Sequence, residues 1–154
     1  MKKNISSFNL LLLFIILVIA TYNSQATELN VLSAEELKNK ITEINHAQNQ
    51  VLMQGSTVAD ADKLFALYTD DFIYIHEVYG GTYSRDELYN NTIKFLKAGR
   101  YTNTNARYKI ISTIPGYNGI ALERQETHQG VTANHLAVFE FRGDKVSKII
   151  EYWK

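Results

Sequence analysis

From Arg107 to Trp153 the chain reads as nearly unbroken β-structure, and this half limits the folds open to the whole. Runs rich in β-branched and aromatic residues cover Arg107 to Ile114, Ile120 to His128, Thr132 to Phe141 and Lys145 to Trp153. They are separated only by Pro115-Gly116 to Gly119, Gln129-Gly130 and Gly143-Asp144. Connections that short join antiparallel neighbours, because a parallel crossover needs a dozen residues or more. The result is a four-stranded antiparallel meander. Arg142-Gly143-Asp144 matches a cell-adhesion tripeptide, but Gly-Asp between two strands is the composition of a two-residue hairpin loop, and the turn reading is taken.

The half before it is mostly helical. Ser33-Ala34-Glu35-Glu36 is a capping box, and Leu37, Ile41, Ile44, Ala47 or Gln48, and Val51 follow at helical spacing until Gly55. A second helix is predicted over Ala59 to Tyr68, burying Leu64, Leu67 and Tyr68 and broken by Asp70-Asp71. Phe72 to Tyr79 predicts a strand that Gly80-Gly81 turns. Ser84-Arg85-Asp86-Glu87 opens a third helix, with Leu88, Thr92, Phe95 and Leu96 on one side and Gly99 beyond its end. Tyr101 to Ala106 is polar and predicts a loop. Helix, helix, strand, helix and then a meander is an α+β arrangement with helices over one face of a sheet.

Residues 1–26 do not belong to this pattern. Met1-Lys2-Lys3 is a basic start, Leu10 to Ala20 is almost entirely apolar, and Ser24-Gln25-Ala26 is a small-x-small cleavage signal. They predict a secretory signal peptide cut after Ala26, an exported protein that is periplasmic or secreted, and a single domain over 27–154. The apolar run is short for a membrane span of about 20 residues, so an uncleaved anchor is the lesser reading. No cysteine follows the apolar run, so a lipoprotein anchor is not expected, and the exported domain is expected to fold without disulfides. Removing the segment takes away Lys2 and Lys3 but no acid, which leaves two fewer bases than acids and a charge near −2. No basic footprint for nucleic acid or for an anionic membrane remains.

Leu122-Glu123-Arg124-Gln125-Glu126-Thr127-His128 is unusual inside this β-rich half, because charge falls on alternate positions. Strand geometry puts Ile120, Leu122, Arg124, Glu126 and His128 on one face, with Ala121, Glu123, Gln125 and Thr127 on the other. If the first face is covered by the helices, Arg124 and Glu126 are buried charges, which persist only when paired. If it is open, they are ordinary solvated residues. The three helices available to cover it favour the first reading.

The order of elements, the acidic pair in Thr69-Asp70-Asp71-Phe72, the capped helix after Gly80-Gly81-Thr82-Tyr83-Ser84, and the ending Ala137-Val138-Phe139-Glu140-Phe141 through Glu151-Tyr152-Trp153 together resemble the SnoaL-like branch of the nuclear transport factor 2 superfamily. The resemblance implies a cone-shaped curved antiparallel sheet whose concave face is covered by three helices, enclosing a pocket for a small, mostly apolar molecule. Within that superfamily the charged positions resemble the limonene-epoxide-hydrolase pattern. There an Arg and an Asp two apart on one strand, an Asp on the last strand and a Tyr and an Asn two apart on the first strand converge on a water. Arg124 and Glu126, Glu151, and Tyr74 and His76 stand at those positions, with both acids lengthened to Glu and His replacing Asn.

On that resemblance Glu151 would deprotonate a water held by Tyr74 and His76, Arg124 would orient both acids, and Glu126 would protonate the leaving oxygen. The reverse assignment of acid and base fits equally well, and so does a non-catalytic binding or dimeric module with a structural Arg–Glu network. His128 and His135 flank the Gln129-Gly130 turn on the Arg124 face and are expected to line the pocket. With His76 and a glutamate they are suitable metal ligands by type, but no tight spacing such as H-x-x-x-H is present, and neither metal nor cofactor is assigned. His46, on the first helix, has no partner in view. Tyr68, Tyr83 and Tyr89, with Phe95, Phe139, Tyr152 and Trp153, are candidates for an aromatic wall, although such residues also fill cores. Phe141 and Trp153 have a second possible place on the convex side of the sheet, where relatives of this kind dimerise, so the resemblance also implies a homodimer.

Overall fold

The computed structural model describes residues 31–128 and 130–153. The predicted signal peptide lies outside them. Two helices open the described chain, α1 (Ala34–Leu52) and α2 (Val58–Ala66), followed by β1 (Tyr68–His76), β2 (Gly81–Ser84) and α3 (Arg85–Lys97). The meander is β3 (Tyr108–Gly116), β4 (Gly119–His128), β5 (Val131–Arg142) and β6 (Lys145–Tyr152). The six strands form one sheet in the order β2-β1-β6-β5-β4-β3.

Local chemistry sets the helix starts. Ser33 and Ser84 each receive the backbone N–H three residues on, at 3.3 Å, while Glu36 and Glu87 return a carboxylate to the Ser33 and Ser84 N–H at 2.8 Å. Such reciprocal caps satisfy end amides that would otherwise lack partners. Thr57 and Asp60 build a third, which the sequence reading passed over. Leu37, Ile41, Ile44 and Val51 of α1 are buried at the predicted spacing.

The second helix is shorter than predicted and the first strand longer. α2 stops at Ala66 and Tyr68 already pairs with Val146, because β1 runs parallel to β6 and the Val146 N–H donates to the Leu67 carbonyl. Asp70 and Asp71 therefore sit inside β1, at an irregularity in its register, rather than ending a helix. A pairing partner some eighty residues away overrides local helix preference, and it makes the otherwise antiparallel sheet mixed at this one pair. β2, not predicted, extends the edge through Tyr74↔Tyr83 and His76↔Gly81. Gly81 lets the Tyr83 ring lie close over the backbone there, since a Cβ at that position would stand 2.5 Å from the ring and displace it. The β5–β6 hairpin closes in two residues, Gly143 at φ +61° and Asp144, between paired Arg142 and Lys145, as the turn reading predicts.

The covered face of the sheet carries the core. Phe72, Ile120, Leu122, Phe139, Val146 and Ile149 pack there against α1 and α2. Phe141 is buried on this face too, and Trp153 reaches it, so neither packs on the convex side. Alternation from Phe139 and from Glu151 carries both inward. α3 has no fully buried residue, because its apolar side faces open space between helix and sheet. The opposite sheet face holds an apolar row in register: Ile75, Ile150, Val138, Ala121 and Ile114. Leu136 and Tyr152 pair beside that row, both exposed.

Candidate functional site

Along β4 the Arg124 face is the covered one. Ile120, Leu122, Arg124 and Glu126 are all buried, and Arg124 is only 1% exposed. A guanidinium in that position needs a partner for each group, and it has them. Nη2 pairs with Oε1 of Glu151, Nη1 donates to Oε1 of Gln48 at 2.8 Å, and Nε donates to Nε2 of His135 at 3.2 Å. The guanidinium also lies over the Tyr108 ring, 3.9 Å from its centroid.

Arg124 reaches Glu151 across the strand between them. On β5 the residue in register with Glu151 is Ala137, fully buried, and the residue opposite Arg124 is His135. A methyl group at Ala137 leaves a diagonal passage from β4 to β6 that a longer side chain would fill. The other Glu151 oxygen receives the Tyr74 hydroxyl at 2.8 Å and the Trp153 indole N–H at 2.7 Å. Burial disfavours the charged carboxylate, but the Arg124 charge and these two hydrogen bonds outweigh it and hold Glu151 below the usual carboxylate range. The Tyr74 phenol is pushed the other way, by burial and by the Glu151 charge.

Glu126 belongs to a separate pair. Arg107 Nε donates to its Oε1 at 2.6 Å, and His135 Nδ1 stands 3.9 Å from Oε2. Arg124 therefore does not bridge the two glutamates as the hydrolase resemblance implied. Burial, then the nearby Arg124 charge, lowers the His135 imidazole.

Beneath the cluster lies a cavity of about 210 Å³, walled by Leu64, Phe65, Phe72 and Ile149 and ending at Tyr74, Arg124 and Glu151. Gln48 and Tyr68 also line it, with the Gln48 amide donating to the Tyr68 hydroxyl at 3.2 Å. Burial raises the Tyr68 phenol far out of the physiological range, so it stays protonated. Tyr74, Leu88, Thr92 and Tyr101 separate this cavity from a second of about 370 Å³, lined by His76, Tyr79, Tyr83, Phe95 and Trp153.

A sheet of this order, helix-covered on one side, is a known architecture. Among solved structures, an NTF2-like protein from Pseudomonas aeruginosa superposes with TM-score 0.62 at 14% identity, over 77% of this chain and 98% of that one. One from Cytophaga hutchinsonii gives 0.56 at 11% identity, over 77% and 89%. Another from Burkholderia xenovorans gives 0.53 at 21%, over 75% and 84%. The fold is NTF2-like. No family model and no curated protein matches the sequence.

Within this NTF2-like frame the candidates from sequence separate into groups. Tyr68, Tyr74, Arg124 and Glu151 meet at the first cavity, and His76 and Tyr83 line the second. Glu126 and His135 are buried beyond Arg124, and Phe139 is core. Tyr152 is on the convex face, while Tyr89 donates to Asp62 on the helical surface. His128 ends β4, and its side chain lies outside the described residues. His46 is exposed. Among the described residues no three metal-ligating side chains cluster.

Sequence reasoning missed Gln48, Arg107 and Tyr108 as site residues. For Gln48 the signal was a polar side chain on an otherwise apolar helical stripe. For Arg107 and Tyr108 it was the hairpin register, which sets Tyr108 opposite Glu126.

Proposed function

We propose that this protein binds a small, mostly apolar molecule in the cavity under Arg124 and Glu151, and holds it without turnover. The observation that carries this is an apolar-walled space ending in polar groups that already satisfy one another. A cavity of about 150 Å³ takes a benzene-sized ligand, so 210 Å³ suits a slightly larger one. Both oxygens of Glu151 are occupied, by Arg124 on one side and by Tyr74 and Trp153 on the other. Such a carboxylate is a weak base, and the groups around it act as a rigid polar end wall.

A second reading, cofactor-free acid–base chemistry of hydrolase, isomerase or cyclase type, draws on the convergence of Tyr74, Arg124 and Glu151 at one end of the cavity. It requires Glu151 to release a donor before it can take a proton from water, with Glu126 too far along the Arg107 pair to serve the same ligand. Native mass spectrometry of protein purified from its own host tests both. A retained small molecule recovered chemically unchanged, and lost in Leu88→Trp, supports binding. A gain of one water on an offered ligand, or a product of the same mass that chromatography resolves as an isomer, in either case absent with Glu151→Gln, supports chemistry.

Two further expectations belong to this reading. Export with cleavage after Ala26 would leave Thr27 as the mature N-terminus, which N-terminal sequencing reads directly. The apolar row Ile75, Ile150, Val138, Ala121 and Ile114, with Leu136 beside it, supports a homodimer through the convex face.

A further inference from the structure

Arg124 and His135 stand opposite each other on β4 and β5, both buried, and Arg124 Nε donates to His135 Nε2 at 3.2 Å. A guanidinium N–H can only donate, so Nε2 offers a lone pair and the neutral ring keeps its proton on Nδ1. That nitrogen faces Glu126 Oε2 at 3.9 Å. Burial, then the Arg124 charge, keeps the ring from taking a second proton until the pH falls below its ordinary value of 6.5.

Titratable groups face His135 from each neighbouring strand. β4 brings Arg124 and Glu126, and the start of β3 brings Arg107 and, edge-on, Tyr108. β6 brings Glu151, with the Trp153 ring beyond it at 6.0 Å from the imidazole. From α1 comes the neutral Gln48, which holds Arg124 at Nη1. A proton on Nε2 would set N–H against N–H and two cations 3.2 Å apart, in a buried place where charge is poorly screened. The present arrangement cannot survive that. The imidazolium is drawn to Glu126, and Arg124 loses its hold at Nε. Its other holds, Gln48 and Glu151, both line the first cavity, so any shift of the guanidinium moves the polar end wall.

We propose that His135 is an acid-operated release for the first cavity: on taking a proton it drives Arg124 from its seat on Glu151 and loosens the wall against which a bound molecule rests. The inference rests on the binding reading above and adds its regulation.

Toluene, a little larger than benzene, is the probe, titrated calorimetrically into protein purified from its own host at pH 8 and at pH 5. Linkage allows affinity to fall by up to about tenfold for each pH unit below the His135 midpoint, so binding at pH 5 is expected to be about tenfold weaker. His135→Gln keeps an acceptor for Arg124 but takes no proton in this range, and should bind equally at both pH values. Circular dichroism at each pH separates loss of affinity from loss of fold. In the unaltered protein, the His135 imidazole resonance should titrate at lower pH with toluene bound than without it, which tests the coupling even if the variant fails to fold. Trp153, the only tryptophan in the chain, donates to Glu151, so its emission without toluene should change between pH 7 and pH 5, and this change should vanish in His135→Gln. Equal toluene affinity at the two pH values, or a difference that persists in His135→Gln, overturns the inference and leaves the binding reading standing. If toluene does not bind at pH 8 and native mass spectrometry finds no retained molecule, both fall.

Discussion

Arg124 on β4 and Glu151 on β6 are ion-paired across the whole width of β5, over the methyl group of Ala137. Both are buried, at 1% and 4% exposure, so the pair lies in a medium that screens it little. It joins two strands that do not touch each other and closes one end of the cavity, which makes it the point where fold stability and pocket chemistry meet.

Breaking the pair from one side leaves a buried charge without its partner. Glu151→Gln should lower unfolding free energy by about 3 kcal/mol or more, as measured by urea denaturation. Replacing both residues with apolar ones of similar size, Arg124→Met with Glu151→Leu, should cost clearly less than the sum of the two single changes. Additive costs would mean that the two residues do not act as a unit.

Stability should fall on the acid side in two stages. The folded protein holds His135 below its ordinary value, so the unfolded chain takes up that proton first, and stability declines as pH falls below about 6.5. Glu151 is also held low. Its contribution is present above the ordinary carboxylate value of 4.5 and is lost as pH falls through the lower folded value. Thermal melts between pH 8 and pH 3 should show both declines, with His135→Asn removing the upper stage. A flat profile from pH 7 to pH 5 in the unaltered protein would count against the first assignment.

Ala137 is predicted to be intolerant of size because it leaves the passage open. Ala137→Leu should cost about 1–3 kcal/mol through overpacking. It should also release Arg124 from Glu151, seen as a change in Trp153 emission, because the indole donates to the same carboxylate. Ala137→Ser should be milder on both counts.

The convex row predicts the assembly. Ile114 is 72% exposed and Leu136 45%, and a charge at either would be buried without a partner if that face closes on a second copy. Ile114→Glu and Leu136→Glu should convert a dimer to a monomer in light scattering after gel filtration, with unchanged circular dichroism. A monomer for the unaltered protein would remove the dimer from the proposed function.

Local chemistry made much of this molecule legible from its residues. The boxes at Ser33 and Ser84, the stripe from Leu37 to Val51, and the short turns of the meander act through atoms a few positions apart, and each is found where it was read. Strand alternation ties Arg124 to the same face as Leu122 and Ile120, and the helices laid over that face bury it.

What the residues alone left open depends on partners distant in the chain. Tyr68 reads as the end of a helix until β6 comes alongside and recruits it as a strand. Glu126 and Glu151 both read as partners for Arg124, and only the three-dimensional arrangement separates them, because the Tyr108↔Glu126 register brings Arg107 to one acid while the small side chain of Ala137 opens a path to the other. The burial of the His76 ring is likewise a property of packing, set by the Tyr79 backbone amide on its Nδ1 and by the Tyr79 and Trp153 rings against it. Periodicity specifies which face a side chain takes. Which neighbour it meets there is decided by strand order and register, and those depend on contacts between residues far apart in sequence.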